Sequence, residues 1–204
     1  MNEQAQKIVN WLGTGSINLF GKPFSGKDTQ GEILAEALGA PLIGGGDILR
    51  SHHDPAQIEK IMASGGLIPS DYFFDMVLPY LSRPEFRGKP LVLDALGRSA
   101  GEEETILRAA EHSGHPLRAV IVLNVSDEEV WRRYEAAKKL HDRDGRDDDQ
   151  AETLRTRLKK FQDKTVPVIE AYRQKGLLVE VNGAQSRDAV EQEILAALIR
   201  FAKI

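Results

Sequence analysis

The segment GKPFSGK, residues 21–27, constrains the fold of this chain more than any other stretch. It follows a short apolar run, residues 17–20, and precedes a run with helical spacing. It fits the phosphate-loop pattern G-x-x-x-x-G-K, but Asp28 stands where Ser or Thr usually follows, with Thr29 one place later. Such a loop, opening a helix, aims backbone N–H groups at phosphate. The sequence therefore predicts a phosphate site between a strand and a helix.

Short apolar runs alternate with longer amphipathic runs along the whole chain. Strands are predicted at 17–20, 42–43, 91–93, 119–125 and 177–181. Helices are predicted at 27–38, 55–64, 71–82, 101–113, 127–140, 149–175 and 187–203, and a short helix within the first 13 residues. Ser126 and Glu129 are placed as a capping box. Nearly all-apolar strands that alternate with helices indicate an α/β fold, a doubly wound five-stranded parallel sheet flanked by helices. Ligands of such sheets bind at the carboxyl ends of the strands.

The composition narrows the function classes. The chain has 204 residues, enough for a single domain over 1–204, and a net charge of −4, which argues against non-specific binding of nucleic acid. It has no cysteine, which excludes disulfides and thiolate chemistry and fits a cytoplasmic protein. No apolar run is long enough to span a bilayer, and the first residues do not resemble a signal peptide.

Four further motifs place charged side chains where phosphoryl transfer would need them. GGGDILR, 44–50, sets a flexible backbone beside Asp47 and Arg50. LVLDALGR, 91–98, ends a buried strand at Asp94, placed to hold a magnesium-bound water, and continues to Arg98. WRRYEAAKK, 131–139, lines a helix with cations, and RDGRDDDQAETLRTRL spans 143–158. A charge run is more often a solvated helix face than a site.

In this order and spacing, the motifs GKPFSGKDTQ, GGDILR, LVLDALGR and GRDDDQAETLRTRL resemble the adenylate kinase family of nucleoside monophosphate kinases. The resemblance covers nearly all of residues 17–200. It implies a P-loop kinase fold with ATP as a substrate, Mg²⁺ bound with it, and a nucleoside monophosphate as acceptor. It also implies two moving parts, an acceptor-binding segment at 44–73 and a short lid at 138–149, which close to exclude water.

The resemblance assigns a role to each matching position. Catalysis would fall to five residues: Lys27, Asp94, Arg98, Arg146 and Arg157. ATP would be bound by Gly21, Ser25, Gly26, Lys27, Asp28, Thr29, Arg133 and Lys138, with Arg133 over the base. The acceptor would be bound by Asp47, Arg50, Gly65, Leu67, Arg98, Glu102, Asp148 and Asp149, the last two orienting the lid arginines. No side chain is expected to bind the metal directly, although Asp94 or Asp28 could reach it through water.

Three positions depart from the family pattern near the ATP site. Phe24 and Asp28 replace glycines, so that one adds bulk and the other a negative charge near the phosphates. Asp28 is expected to face the hydration shell of Mg²⁺ or to pair with a cation. Lys138 replaces an arginine and cannot grip phosphate through two bonds.

Glu102 is the departure with the largest consequence for the acceptor. The family reads adenine with a Gln four residues after the arginine that corresponds to Arg98. A carboxylate only accepts hydrogen bonds, which suits the two adjacent donors of guanine. The other interpretation is that Glu102 is an acidic first-turn residue, favoured by the helix dipole.

The sequence therefore predicts a monomeric, cytoplasmic, Mg²⁺-dependent kinase that transfers the γ-phosphoryl group of ATP, with AMP favoured as acceptor. Two alternatives remain open. The acceptor could be GMP or another nucleoside or deoxynucleoside monophosphate, or the chain could be a nucleotide-binding regulator of weak activity.

Overall fold

The computed structural model describes residues 2–51, 70–139 and 151–204. Five parallel strands form one sheet in the order β2-β3-β1-β4-β5. The strands are β1 (Ser16–Gly21), β2 (Leu42–Gly44), β3 (Leu91–Asp94), β4 (Leu117–Asn124) and β5 (Leu178–Asn182). This confirms the predicted α/β class and places every predicted strand within two residues of its observed bounds.

Helices cover both faces of the sheet. In the described ranges they are α1 (Glu3–Leu12), α2 (Lys27–Leu38), α3 (Gly45–Ser51), α4 (Ser70–Leu81), α5 (Glu102–His112), α6 (Asp127–Lys139), α7 (Ala151–Lys160), α8 (Val166–Gln174) and α9 (Arg187–Ala202). One apolar cluster packs α1, α2 and α9 on one face, and a second packs α4, α5 and α8 on the other. None of the helices described is long and apolar enough to cross a membrane.

Two predictions about local structure were wrong. The glycines at 44–46 were expected to give a flexible backbone, but α3 begins at Gly45. The Asp47 carboxylate stabilises this start because Oδ2 accepts a hydrogen bond from the Gly44 N–H at 2.8 Å. The helix predicted at 149–175 is also not uniform, since a π-helical turn, Phe161–Thr165, separates α7 from α8.

The capping box at the start of α6 is half confirmed. Ser126 Oγ accepts from the Glu129 N–H at 3.1 Å, as predicted. The Glu129 carboxylate instead binds the guanidinium groups of Arg132 and Arg133, each at 2.7 Å. The helix predicted at 55–64 and most of the predicted segments 44–73 and 138–149 lie outside the described residues, and their roles stay predictions.

Candidate active site at the carboxyl end of the sheet

The phosphate loop joins β1 to α2 and depends on two glycines. Gly26 adopts a left-handed φ of 88°, which glycine tolerates best. A Cβ added at Gly21 would lie 2.3 Å from Ser25 Oγ, so any larger residue there would force Ser25 to shift. The tight turns predicted from these glycines are therefore present.

Phe24 also adopts a left-handed conformation, with a φ of 60°. Its ring packs edge-on against Tyr134, with 5.6 Å between the ring centroids. It belongs to a small apolar cluster with Val125 and Val130 of the α6 region. The bulk that replaces a family glycine is thus packed against α6, while the residue itself still lines the site.

Lys27 lies between two carboxylates. Its Nζ donates to Asp94 Oδ1, at the end of β3, and to Asp28 Oδ1 at 2.5 Å. The sheet register explains the first contact, since Leu19 of β1 pairs with Asp94 of β3 and brings the strand ends together. The lysine side chain is only 12% exposed. The expectation that Asp28 pairs with a cation is therefore confirmed.

A cavity of about 420 Å³ opens above these groups. It is bounded by the phosphate loop, by the loop after β3 and by one face of α7 and the π turn. Six cationic and two acidic side chains line it within the described part of the chain: Lys22, Lys27, Arg98, Arg157, Lys160, Lys164, Asp28 and Asp94. Such an excess of positive charge suits a polyphosphate.

The same cavity contains oxygen donors of the kind that Mg²⁺ prefers. They are the carboxylates of Asp28 and Asp94 and the hydroxyl groups of Ser25 and Thr29. Ser25 Oγ is buried and has no hydrogen-bond partner among the described residues. A buried hydroxyl without a partner costs free energy, so a ligand oxygen or a hydrated cation would satisfy it. The residues present thus fit Mg²⁺ carried by a nucleotide.

Arg98 lies across the cavity from the phosphate loop. Its Nε donates to the Ala95 carbonyl at 3.0 Å, which fixes the base of the guanidinium group. Arg157 of α7 lines the same space. Three segments far apart in sequence therefore bring Lys27, Arg98 and Arg157 together, as the sequence predicted.

Arg133 contacts the far side of the phosphate loop. Its Nη1 donates to the carbonyls of Ser25 at 3.0 Å and Phe24 at 3.3 Å, and its Nη2 to the Gly183 carbonyl at 2.6 Å. Arg133 thus ties the phosphate loop to the loop after β5. Its predicted place over the ATP base stays a prediction.

The salt bridges of Glu129 support this arrangement. Hydrogen bonds from Arg132 and then from Arg133 lower the pKa of Glu129 from 4.5 to about 2. Because the folded pKa lies below the usual one, the stabilisation is present above about pH 4.5 and is lost as the pH falls towards 2.

Glu102 binds backbone donors at the start of α5. Its Oε2 accepts from the N–H groups of Arg98 at 2.8 Å and Ser99 at 3.0 Å. This geometry fits the interpretation of Glu102 as a helix-start acid. Contact with the acceptor base stays a prediction.

The remaining predicted residues are less informative. Lys138 is exposed on α6, and Asp47 caps α3 as described above. The side chain of Arg50 is not described. Five residues lie outside the described ranges: Gly65, Leu67, Arg146, Asp148 and Asp149.

The sequence reasoning missed several residues that line the cavity. Lys160, Lys164 and Thr165 project from the end of α7 and the π turn, and Lys22 lies within the phosphate loop. A signal for two of them was present, because Arg157, Lys160 and Lys164 are spaced for one helix face. No local signal marked the π turn, which places Thr165 in the same wall.

The comparisons with known proteins agree with this site. A family model described as adenylate kinase matches residues 19–177. An adenylate kinase of Thermus thermophilus is 31% identical over 188 residues, covering 90% of this chain and 96% of the relative. One of Xylella fastidiosa is 34% identical over 185 residues, covering 88% and 97%. One of Xanthomonas oryzae is 33% identical over 187 residues, covering 89% and 98%.

The residues matched by the family model include the phosphate loop, Asp94, Arg98 and Arg157. The chain belongs to the adenylate kinase family of P-loop phosphotransferases, which transfer a phosphoryl group from ATP, used with Mg²⁺, to a nucleoside monophosphate.

Proposed function

We propose that this chain phosphorylates AMP with ATP, and that AMP is its preferred acceptor. The observation that carries the proposal is that Lys27 and Arg98 line the same cavity. The relatives described above bear the name adenylate kinase, which supports the choice of AMP.

The chemistry needs two phosphate groups in line and positively charged groups that neutralise the negative charge that spreads during transfer. Lys27 and the N–H groups of the phosphate loop would bind the β- and γ-phosphates of ATP. Arg98, with Arg50, would bind the acceptor phosphate, because a guanidinium group grips phosphate oxygens through two bonds. Mg²⁺ bound with ATP supplies further positive charge.

Arg157 and Arg146 would neutralise the phosphoryl group during transfer. The described part of the site already brings Arg157 to the cavity wall, next to Lys160 and Lys164. Arg146, Asp148 and Asp149 would join it from the lid, and Asp47, Gly65 and Leu67 belong to the acceptor segment in this proposal. Lys138 and Arg133 would contact the nucleotide of ATP.

A coupled assay with ATP and each of AMP, GMP, CMP, UMP and their deoxy forms tests the proposal. We expect kcat/KM to be highest for AMP and the Lys27→Ala variant to lose roughly 100-fold or more in activity with all of them. Turnover highest with GMP would establish the first alternative. Tight ATP binding without turnover on any acceptor would identify a regulator and overturn the proposal.

The Glu102→Gln variant sharpens the choice of acceptor. A Gln oxygen can still accept from the Arg98 and Ser99 N–H groups, so the start of α5 should be preserved. If the second atom of the carboxylate contacts the acceptor base, the variant should prefer AMP over GMP more strongly, by about ten-fold. Superimposable acceptor profiles would leave Glu102 as a cap of α5 only.

We further propose that the protein works as a monomer in the cytoplasm. Among the described residues, Ile204 at the chain end is the only large apolar side chain that is exposed, so no described surface offers an apolar interface. Sedimentation equilibrium should give a single species of one chain, and a dimer at micromolar concentration would contradict the proposal.

A further inference from the structure

The loop 95–98 carries Arg98 and contains two residues in left-handed conformations. Ala95 adopts a left-handed φ of 48° and Gly97 one of 73°. A left-handed conformation is unfavourable for alanine and persists only where the surroundings enforce it. The loop determines where the guanidinium group lies, because Arg98 Nε donates to the Ala95 carbonyl at 3.0 Å.

The side chain of Asn18 holds this loop through two hydrogen bonds, in addition to the backbone bond from the Ala95 N–H to the Leu19 carbonyl at 2.9 Å. Its Nδ2 donates to the Leu96 carbonyl at 2.8 Å, and its Oδ1 accepts from the Leu96 N–H at 3.2 Å. The carboxamide therefore satisfies both backbone groups of one loop residue, as a neighbouring strand would. Asn18 lies in the middle of β1 and is fully buried.

Burying the amide of Asn18 costs free energy, so its presence in the strand needs a structural explanation. Phe20, on the same face of β1, is apolar and equally buried, so an apolar side chain would suit this face of the strand. Burying an amide is unfavourable unless its hydrogen bonds are made. Here the two backbone hydrogen bonds of the amide are made with the loop that carries Arg98, and the hydroxyl group of Tyr172 also interacts with the Asn18 side chain.

Two further side chains hold the same loop from other elements. Thr165 Oγ1, in the π turn, donates to the Arg98 carbonyl at 3.3 Å. Glu102, at the start of α5, accepts from the Arg98 N–H at 2.8 Å. β1, α5 and the π turn thus all contact one short loop. The exposed side chain of that loop is the one of Arg98.

We infer that Asn18 is a positioning residue that acts through Arg98: its buried amide sets the loop that aims the guanidinium group at the phosphate of the acceptor. Thr165 assists from the opposite side. The inference rests on the proposed function, in which Arg98 binds the acceptor. It assigns a role in acceptor binding to a residue of the sheet interior.

The test compares Asn18→Leu with Ser16→Ala. Ser16 lies in the same strand, is equally buried, and also donates to a backbone carbonyl, that of His115 at 2.9 Å, but at the amino end of the sheet. We expect Asn18→Leu to raise KM for the acceptor about ten-fold while KM for ATP changes less than two-fold. Ser16→Ala should lower stability and leave both KM values unchanged.

A double-mutant cycle shows whether the effect passes through Arg98. In an Arg98→Ala background, Asn18→Leu should cause no further rise in the acceptor KM. Additive effects, a parallel rise in KM for ATP, or equal effects of Ser16→Ala would each overturn the inference.

Thr165 provides a milder pair of variants in case Asn18→Leu fails to fold. Thr165→Val keeps the shape but loses the hydrogen bond to the Arg98 carbonyl, and should raise the acceptor KM about three-fold. Thr165→Ser keeps the hydroxyl and should restore the wild-type value. Equal KM values for the two variants would count against the inference.

Amide hydrogen exchange separates this inference from the proposed function, because it needs no substrate. The N–H groups of Leu96 and Arg98 should exchange faster in Asn18→Leu than in Ser16→Ala. If wild-type protein transferred no phosphoryl group, the proposed function would fail, and the exchange rates would still decide whether Asn18 holds the loop. Unchanged exchange in Asn18→Leu would refute that.

Discussion

The two ends of the sheet treat buried polar groups in opposite ways. At the amino end, Ser16 donates through Oγ to the His115 carbonyl, and Thr14 donates to the Gly114 carbonyl at 2.8 Å. The His115 ring, which is also buried, hydrogen-bonds the Thr14 carbonyl at 2.8 Å. Ser16 and His115 are buried and each has a backbone partner, so the buried polar groups at this end are satisfied.

At the carboxyl end the same strands lead into strain and unsatisfied groups. Phe24 and Ala95 hold left-handed conformations, and Ser25 Oγ is buried without a partner among the described residues. The one other non-glycine residue with positive φ in the described chain is Lys203, at the end of α9. Strain of this kind persists where the surrounding structure enforces it, and it clusters at functional sites.

The comparison teaches that the sheet separates stability from function. Substitutions of polar residues at the amino end should change stability without changing turnover, and substitutions of the charged residues at the carboxyl end should change turnover with little effect on stability. Four predictions test that separation.

Lys27→Ala should have the largest effect. Lys27 is the most enclosed cation of the loop and would contact the phosphates being cleaved, so its loss should cost about 3–4 kcal/mol of transition-state stabilisation, or roughly 100- to 1,000-fold in kcat. The free energy of unfolding should change much less than this, because Asp28 is 67% exposed and Asp94 26% exposed, so water can solvate both carboxylates once the lysine is gone. Steady-state kinetics and urea unfolding measure the two quantities. A variant that keeps its kcat would remove Lys27 from catalysis.

Arg98→Ala should follow, with an effect confined to the acceptor. We expect kcat/KM for the monophosphate to fall by an amount that corresponds to about 2–3 kcal/mol of transition-state stabilisation. The ATP affinity should stay within two-fold. Arg87→Ala is the matched control, since Arg87 is exposed and precedes the amino end of β3, whereas Arg98 follows its carboxyl end. Unchanged acceptor kinetics in Arg98→Ala, or equal losses in the two variants, would break the comparison.

Phe24 tests strain at the carboxyl end through stability alone. Phe24→Ala loses the packing on Tyr134 and keeps a side chain in the left-handed conformation. Phe24→Gly loses the same packing and relieves that conformation, so it should be more stable than Phe24→Ala by about 1 kcal/mol. Urea unfolding of both variants measures the difference. An alanine variant as stable as the glycine variant would mean that the φ of 60° stores no strain.

The parts of the fold that repeat a simple pattern could be predicted from the sequence. Apolar strands and the α2 helix were located within two residues, because burial on both faces leaves a continuous apolar run. The helix α3 was missed because its stabilising contact, Asp47 to the Gly44 N–H, outweighs the low helix propensity of its two glycines. That contact is local, but the run of three glycines in the sequence obscured it.

The site divides in the same way. Lys27 and Asp94 could be placed together, because adjacent parallel strands end at one edge of the sheet. The contact of Asn18 with this site could not be predicted, since Asn18 lies within a run of apolar residues and its partner Leu96 is distant in sequence. Thr165 enters the wall through a π turn, and one extra residue in a helical turn changes which side chains share a face.

Asp28→Asn should have the smallest effect and the most specific one. The Asp28 side chain is 67% exposed, so its ion pair with Lys27 contributes little to stability. Its charge still opposes a triphosphate. Without Mg²⁺, the variant should therefore bind ATP roughly two- to five-fold more tightly, a difference of at most about 1 kcal/mol.

The Mg²⁺ dependence of that affinity decides what Asp28 does. If its carboxylate faces the hydration shell of the metal, the gain in affinity should vanish or reverse as Mg²⁺ saturates ATP, because the variant then loses a favourable contact. Asp127→Asn is the matched control: Asp127 is 68% exposed and pairs with Lys22 of the same loop at 2.5 Å, but it lies at the start of α6. Calorimetric titrations with ATP over a series of Mg²⁺ concentrations would show the difference. Superimposable curves for wild type and Asp28→Asn would show that Asp28 has no role in binding ATP or Mg²⁺. The replacement of the family glycine by Asp28 would then have no effect on nucleotide binding.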